Sequence, residues 1–275
     1  LVLFISNLAT AERELRRFDD QHDYNRICPG IPTSGMPEHR MMQEITEAMR
    51  RRGIFASVDI HNNTGRNPYY GCVNRLEHRF LRLASLFGRT IVYYLRPRGV
   101  QSMAFAQFAP SVTLECGQPD SPDSAARAHD YLDACLHVSD LPDRPMPLSD
   151  VDIFHTVATI RVPQNVDFAV APGDADLVFR NDLDLLNFRE LTPGTELATS
   201  RIGARGLPEV RNEAGEVVTR QFLSLDGTAI ALRQSMMPSM FTTDTRIIRQ
   251  DCVGYFMERL SADAIASAVQ EGHKP

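Results

Sequence analysis

Ser57-Val58-Asp59-Ile60-His61-Asn62-Asn63-Thr64-Gly65 joins a short apolar run to a polar turn. Gly53 leads into Ile54–Asp59, which reads as a buried strand, and Asn, Asn, Thr and Gly then stop it. A histidine at the carboxyl end of such a strand faces the crevice where open α/β sheets bind ligands. Asp59 lies two residues before His61, so both side chains point to one face. A carboxylate in that place orients an imidazole, as behind metal-bound histidines. A hydrogen-bonded loop histidine beside a strand-end Asp fits the same residues.

Outward from this stretch, an α-then-β alternation takes shape. Pro37–Arg52 has Met41, Met42, Ile45, Ala48 and Met49 at helical spacing, and Gly53 closes it. Arg75–Phe87 and Ser124–Val138 read as further amphipathic helices, and Ala9–Phe18 has helical composition. Leu1–Ser6, Thr90–Leu95 and Ser111–Gly117 read as strands, the last carrying Glu115 at its tip as the first carries His61. The segment His61–Asn74 reads as a long loop. Arg17–Gly30 is polar and centred on Asn25-Arg26, and arginine is the side chain that grips a carboxylate bidentately.

After Ser139–Ser149, rich in proline, the pattern changes. Val151–Val162, Phe168–Val170, Leu177–Phe179, Val217–Thr219 and Ala229–Leu232 read as strands between turn residues, and helical spacing returns only at Ser261–Gln270. The expected organisation is an α/β catalytic domain over 1–140, a linker over 141–150 and a β domain with a terminal helix over 151–275. The expected fold class is a mixed sheet flanked by helices, with a smaller C-terminal β domain.

Bulk properties narrow the functions. The 275 residues are 43% hydrophobic and 23% charged, with a net charge of −6. That balance argues against nucleic acid as a partner. No apolar run is long enough to span a bilayer, which argues against a membrane. Five scattered cysteines without CxxC spacing point to free thiols and, with the acidic balance, to the cytoplasm. A homo-oligomer is compatible with this composition.

Asp23-Tyr24-Asn25-Arg26, then Asp59-Ile60-His61-Asn62, then Leu114-Glu115-Cys116-Gly117, followed by a β half with Pro193-Gly194 and Leu225-Asp226-Gly227, resembles the succinylglutamate desuccinylase/aspartoacylase family of zinc carboxypeptidase-like enzymes. The resemblance implies a zinc-dependent hydrolase that cleaves the amide bond of an N-acyl amino acid or related small carboxylate. It implies His61 as a zinc ligand and Glu115 as general base. It implies Asn25 and Arg26 as the grip on a substrate carboxylate, and Arg17 as the residue polarising the scissile carbonyl. Asp59 would orient His61.

The family's HxxE zinc-ligand motif has no counterpart here, and His39 and Glu44 are too far apart to replace it. The abrupt start at Leu1 therefore points to a domain truncated at its N-terminus. Phe105 lies near the place of a further substrate arginine, and Tyr24 stands where the family usually has Leu. Two alternatives follow: a metallocarboxypeptidase-type peptidase, or a non-catalytic binding protein on the same scaffold.

Overall fold

The computed structural model describes residues 1–272 apart from Glu14, Thr33 and Ser34, with side chains as far as Val269. The thirteen strands among the described residues form two sheets. They are β1 (Ser57–His61), β2 (Tyr70–Val73), β3 (Thr90–Tyr93), β4 (Ser111–Glu115), β5 (Asp152–Arg161), β6 (Phe168–Val170), β7 (Leu177–Phe179), β8 (Glu196–Ser200), β9 (Glu209–Asn212), β10 (Leu223–Asp226), β11 (Ala229–Leu232), β12 (Met237–Ser239) and β13 (Gly254–Arg259). The larger sheet runs β1-β4-β2-β3-β5-β13-β12, with β9 also paired to β5, and the smaller runs β10-β11-β8-β7-β6.

Helices α1 (Leu8–Ala11), α2 (Pro37–Arg52), α3 (His78–Ser85), α4 (Gln101–Phe105) and α5 (Ser124–His137) alternate with the first strands. α6 (Thr219–Phe222), α7 (Thr245–Gln250) and α8 (Ala262–Gly272) belong to the later chain. α2 begins on Pro37 and stops at Gly53, whose φ of 66° is the left-handed turn expected there. Its methionines serve packing: Met42 is buried with Ile27, Cys28, Ala104 and Phe105. Among the described residues no helix is long and apolar enough to cross a membrane.

The larger sheet is mixed. β1 and β4 are parallel, as are β2 and β3 and then β3 and β5, while β2 and β4 are antiparallel. Every residue of β4 is buried, as the interior strand of the α/β part requires. Its core joins Val112 and Leu114 of β4 to Phe80, Leu81, Leu83 and Ala84 of α3 and to Tyr131 of α5. Gly71 makes that packing close: a Cβ there would lie 3.1 Å from the Ala84 Cβ. A second core, around Phe179, Phe222, Phe241 and Phe256, fills the space beside the smaller sheet.

The larger sheet takes strands from both sides of the 141–150 segment, because β5, which follows that segment, pairs directly with β3. α8 returns Ile265 and Val269 to the core of the N-terminal part.

Several local expectations differ from the structure. Leu1–Ser6 forms no strand: its apolar side chains are exposed and it pairs with no other strand. Side-chain character favours a strand, but only a neighbouring edge completes its hydrogen bonds. The helix expected over Ala9–Phe18 is confined to Leu8–Ala11, and Glu14 within it lies outside the described residues. The loop expected over His61–Asn74 contains β2, a four-residue strand hidden in the sequence by Gly71 and by its brevity. Val217 makes only an isolated bridge to Arg211, and Thr219 opens α6.

Phe256 is fully buried, stacked on Phe222 at 5.5 Å between centroids and set edge-on to Phe241 at 5.9 Å. Phe256→Ala is therefore expected to cost roughly 3–5 kcal/mol, read as a lower urea midpoint at unchanged slope. Val217→Ala, at a position that is 55% exposed, should stay within about 0.5 kcal/mol of the parent.

Candidate active site

The parallel register of β1 and β4 sets His61 directly beside Glu115 at the carboxyl ends of both strands. The chain beyond is tied in the same way. The Cys116 N–H donates to the His61 carbonyl at 2.8 Å, and the Asn63 N–H donates to the Gly117 carbonyl at 3.0 Å. The two tips therefore lie side by side at the same edge of the sheet.

Asp59 does lie on the face of His61: its Oδ1 is 3.0 Å from the imidazole Nε2. Burial opposes a charge on His61, but Asp59, with Glu115 adding to it, raises the imidazole to about 9. Glu115 is only 3% exposed. Burial pushes its carboxyl above the ordinary carboxylate value, while His61 and a hydrogen bond from Asn63 hold it back. That bond, Asn63 Nδ2 to Glu115 Oε2, is 3.0 Å.

Asn63 is itself anchored by the later half of the chain. Asn67 Nδ2 donates to Asn63 Oδ1 at 2.8 Å, and Asn67 Oδ1 accepts from the Met240 N–H at 2.9 Å. Thr64 and Thr242 hydroxyls meet at 2.7 Å, and Asn187 brackets the Phe241 backbone through both of its amide atoms. The Met240-Phe241-Thr242 segment after β12 thus braces the loop that follows His61.

The arginines are arranged differently from the expectation. Arg17 donates to the carbonyls of Phe18, Asp19 and Gln21, so its guanidinium staples its own loop. Its neighbour Arg16 sends a positive field to both His61 and Glu115. Arg16 contacts Asp23 Oδ2 at 2.8 Å and Asp251 Oδ2 at 3.2 Å. Arg26 Nη2 reaches Asp251 Oδ1 at 3.0 Å and Oδ2 at 2.9 Å, and its Nη1 donates to the Asn25 carbonyl at 2.7 Å. Asn25 sits in a single 3₁₀ turn, its N–H bound to Asp23 Oδ1 at 2.9 Å. Phe105, near the place of the family's further arginine, is a buried core residue.

Arg16, Asn63, Asn67 and Asp251 thus join the candidate groups through their contacts, and no motif in the sequence marks them. Asn63 lies two residues after His61. Asp251 lies 225 residues from Arg26, and no local pattern marks it.

Zinc at a catalytic centre takes three protein donors. Among the described residues no group of three His, Cys, Asp or Glu side chains could hold a metal ion. His61 is the donor present where one was expected, and its Nε2 is engaged by Asp59. The described residues do not by themselves make a zinc centre.

No protein-family model and no curated protein sequence matches this chain. Solved structures do. Murine aminoacylase 3 superposes with a TM-score of 0.57 at 16% identity, over 93% of this chain and 82% of that one. A succinylglutamate desuccinylase/aspartoacylase from Rhodobacter sphaeroides gives 0.57 at 14% identity, over 93% and 74%. The succinylglutamate desuccinylase from Chromobacterium violaceum gives 0.54 at 16% identity, over 93% and 72%. At these identities the likeness is one of fold: the mixed α/β architecture is that of the desuccinylase/aspartoacylase structures, as the motifs implied.

Burial would raise the Asp251 carboxyl, but Arg26, Arg16 and Arg161 outweigh it and hold it below the ordinary carboxylate value. A carboxylate depressed in this way stabilises the fold fully above its unfolded pKa of about 3.9, and that stabilisation is lost as pH falls through the lower folded value. The parent should therefore lose thermal stability on acidification below about pH 4 more steeply than Asp251→Asn. Equal slopes for the two proteins in a pH series of melting curves would contradict this.

Proposed function

We propose that this protein is a hydrolase of the deacylase kind, cleaving the amide bond of a small N-acyl compound. The fold is shared with solved aminoacylase and desuccinylase structures. The observation that carries the reading is the side-by-side placement of His61 and Glu115 at the tips of two parallel strands. An N-acyl amino acid or a related small carboxylate is the substrate class implied by the resemblance of the motifs.

Each residue has a chemical role in this reading. Glu115 is the general base. Burial raises its pKa above the ordinary carboxylate value, and a carboxylate in that role removes a proton from water and returns one to the departing amine. Asn63 donates to Oε2 and so orients the carboxylate, with Oε1 as the atom that takes the proton from water in this reading. Asp59 fixes the ring of His61, and His61 is the zinc donor that the resemblance implies. Arg16, in place of Arg17, supplies positive potential to the region where the tetrahedral oxygen gains charge.

A second reading, a non-catalytic binding protein on the same scaffold, is favoured by one observation: no three described donors could hold a metal. Metal analysis of the full-length protein and assays with N-acetyl amino acids and N-acetyl amines separate the two. The hydrolase reading expects turnover that Glu115→Gln lowers by about 10²–10⁴ in kcat, with an unchanged urea midpoint. A full-length protein that binds no metal and hydrolyses none of these compounds would leave the binding reading in its place.

A further inference from the structure

We infer that Asp251 is a specificity-determining residue: it fills the carboxylate seat on Arg26 and Arg16 from within the chain, so the part of a substrate that reaches these arginines carries no carboxylate. The inference rests on the proposed deacylase reading and narrows its substrate class.

The geometry is that of a bound carboxylate. Both Asp251 oxygens are within 3.0 Å of Arg26 Nη2, and Oδ2 also meets Arg16. Arginine binds a free carboxylate through the same donors. Arg16 and Arg26 already face two carboxylates of the chain itself, Asp23 and Asp251. The Asp251 side chain is 14% exposed and that of Arg26 is 21% exposed, so neither is a freely solvated surface group.

The occupant is also held in place. The Asp251 N–H donates to the Ile247 carbonyl at 2.9 Å, and two residues later the Val253 N–H donates to the Ile160 carbonyl at 2.8 Å. Cys252 and Val253 between Asp251 and β13 are buried. An incoming carboxylate would gain the same two donors only by expelling Asp251, which would then be left without its partners beside a buried strand end. The incoming group also competes with a tethered one, whose effective concentration a free ligand does not match. A neutral group, such as an amide or an alkyl chain, needs no such exchange.

Calorimetric titration of the full-length protein with N-acetylglycine and with N-acetylglycinamide compares two ligands that differ mainly in this charge. The parent should bind the amide at least as tightly as the acid. Asp251→Asn, which keeps the shape and removes the charge, should bind the acid at least ten times more tightly than the parent does, and adding Arg26→Gln should erase the gain. Asp251→Ala repeats the comparison, and urea unfolding verifies that each variant is folded. A parent that prefers the acid tenfold overturns the inference and needs no variant to show it. So does a folded Asp251 variant with no gain. Hydrolysis is measured in parallel: its absence in every protein would overturn the deacylase reading, while the titrations alone judge Asp251.

Discussion

The parallel pairing of β1 with β4 is the constraint from which the site follows. Parallel strands end at the same edge of a sheet, so ionisable residues at the tips of both meet without any further device. The register places His61 beside Glu115, and Asp59, one step of the alternation back, falls on the same face. A shift of one residue in either strand would turn these side chains to the opposite face. The buried β4 resists such a shift because Val112 and Leu114 are committed to the core beneath α3.

The later half of the chain completes what β1 and β4 begin. Asn63 orients Glu115, but Asn63 is positioned through Asn67 by the backbone of Met240, and Asn187 in turn clamps Phe241. Asp251 reaches into the arginine cluster from the turn that enters β13. The C-terminal part therefore braces the loop after His61 and pairs with the arginine cluster. Its strands β5, β12 and β13 also extend the larger sheet, which explains how so short an α/β part is buried along one side.

Charge is distributed in two linked groups. Asp59, His61 and Glu115 form one, and Arg16, Arg26, Asp23 and Asp251 form the other, with Arg16 acting on both. Pairing raises the imidazole and holds Asp251 ionised, while burial raises Glu115.

Much of this was legible in residues 37–137, where the elements are long or end on a distinctive residue. α2, β4 and α5 lie where helical spacing, Gly53 and Glu115 placed them. The facing of Asp59 and His61 was legible because strand alternation is a local rule. β2 was not, since four residues with a central glycine carry little periodicity, and only packing against Ala84 reveals why Gly71 is there. That Arg16 meets Asp251 while Arg17 binds carbonyls of its own loop could not be read either: adjacent residues in an irregular loop have no periodicity to tell them apart. The sequence by itself determined the α/β alternation, the two ionisable strand tips and the β character of the later half, because each is written in neighbouring residues. Only the tertiary structure decided which of Arg16 and Arg17 meets Asp251 and that Asp251 occupies the donors of Arg26, because a salt bridge across 225 residues depends on how distant strands pair.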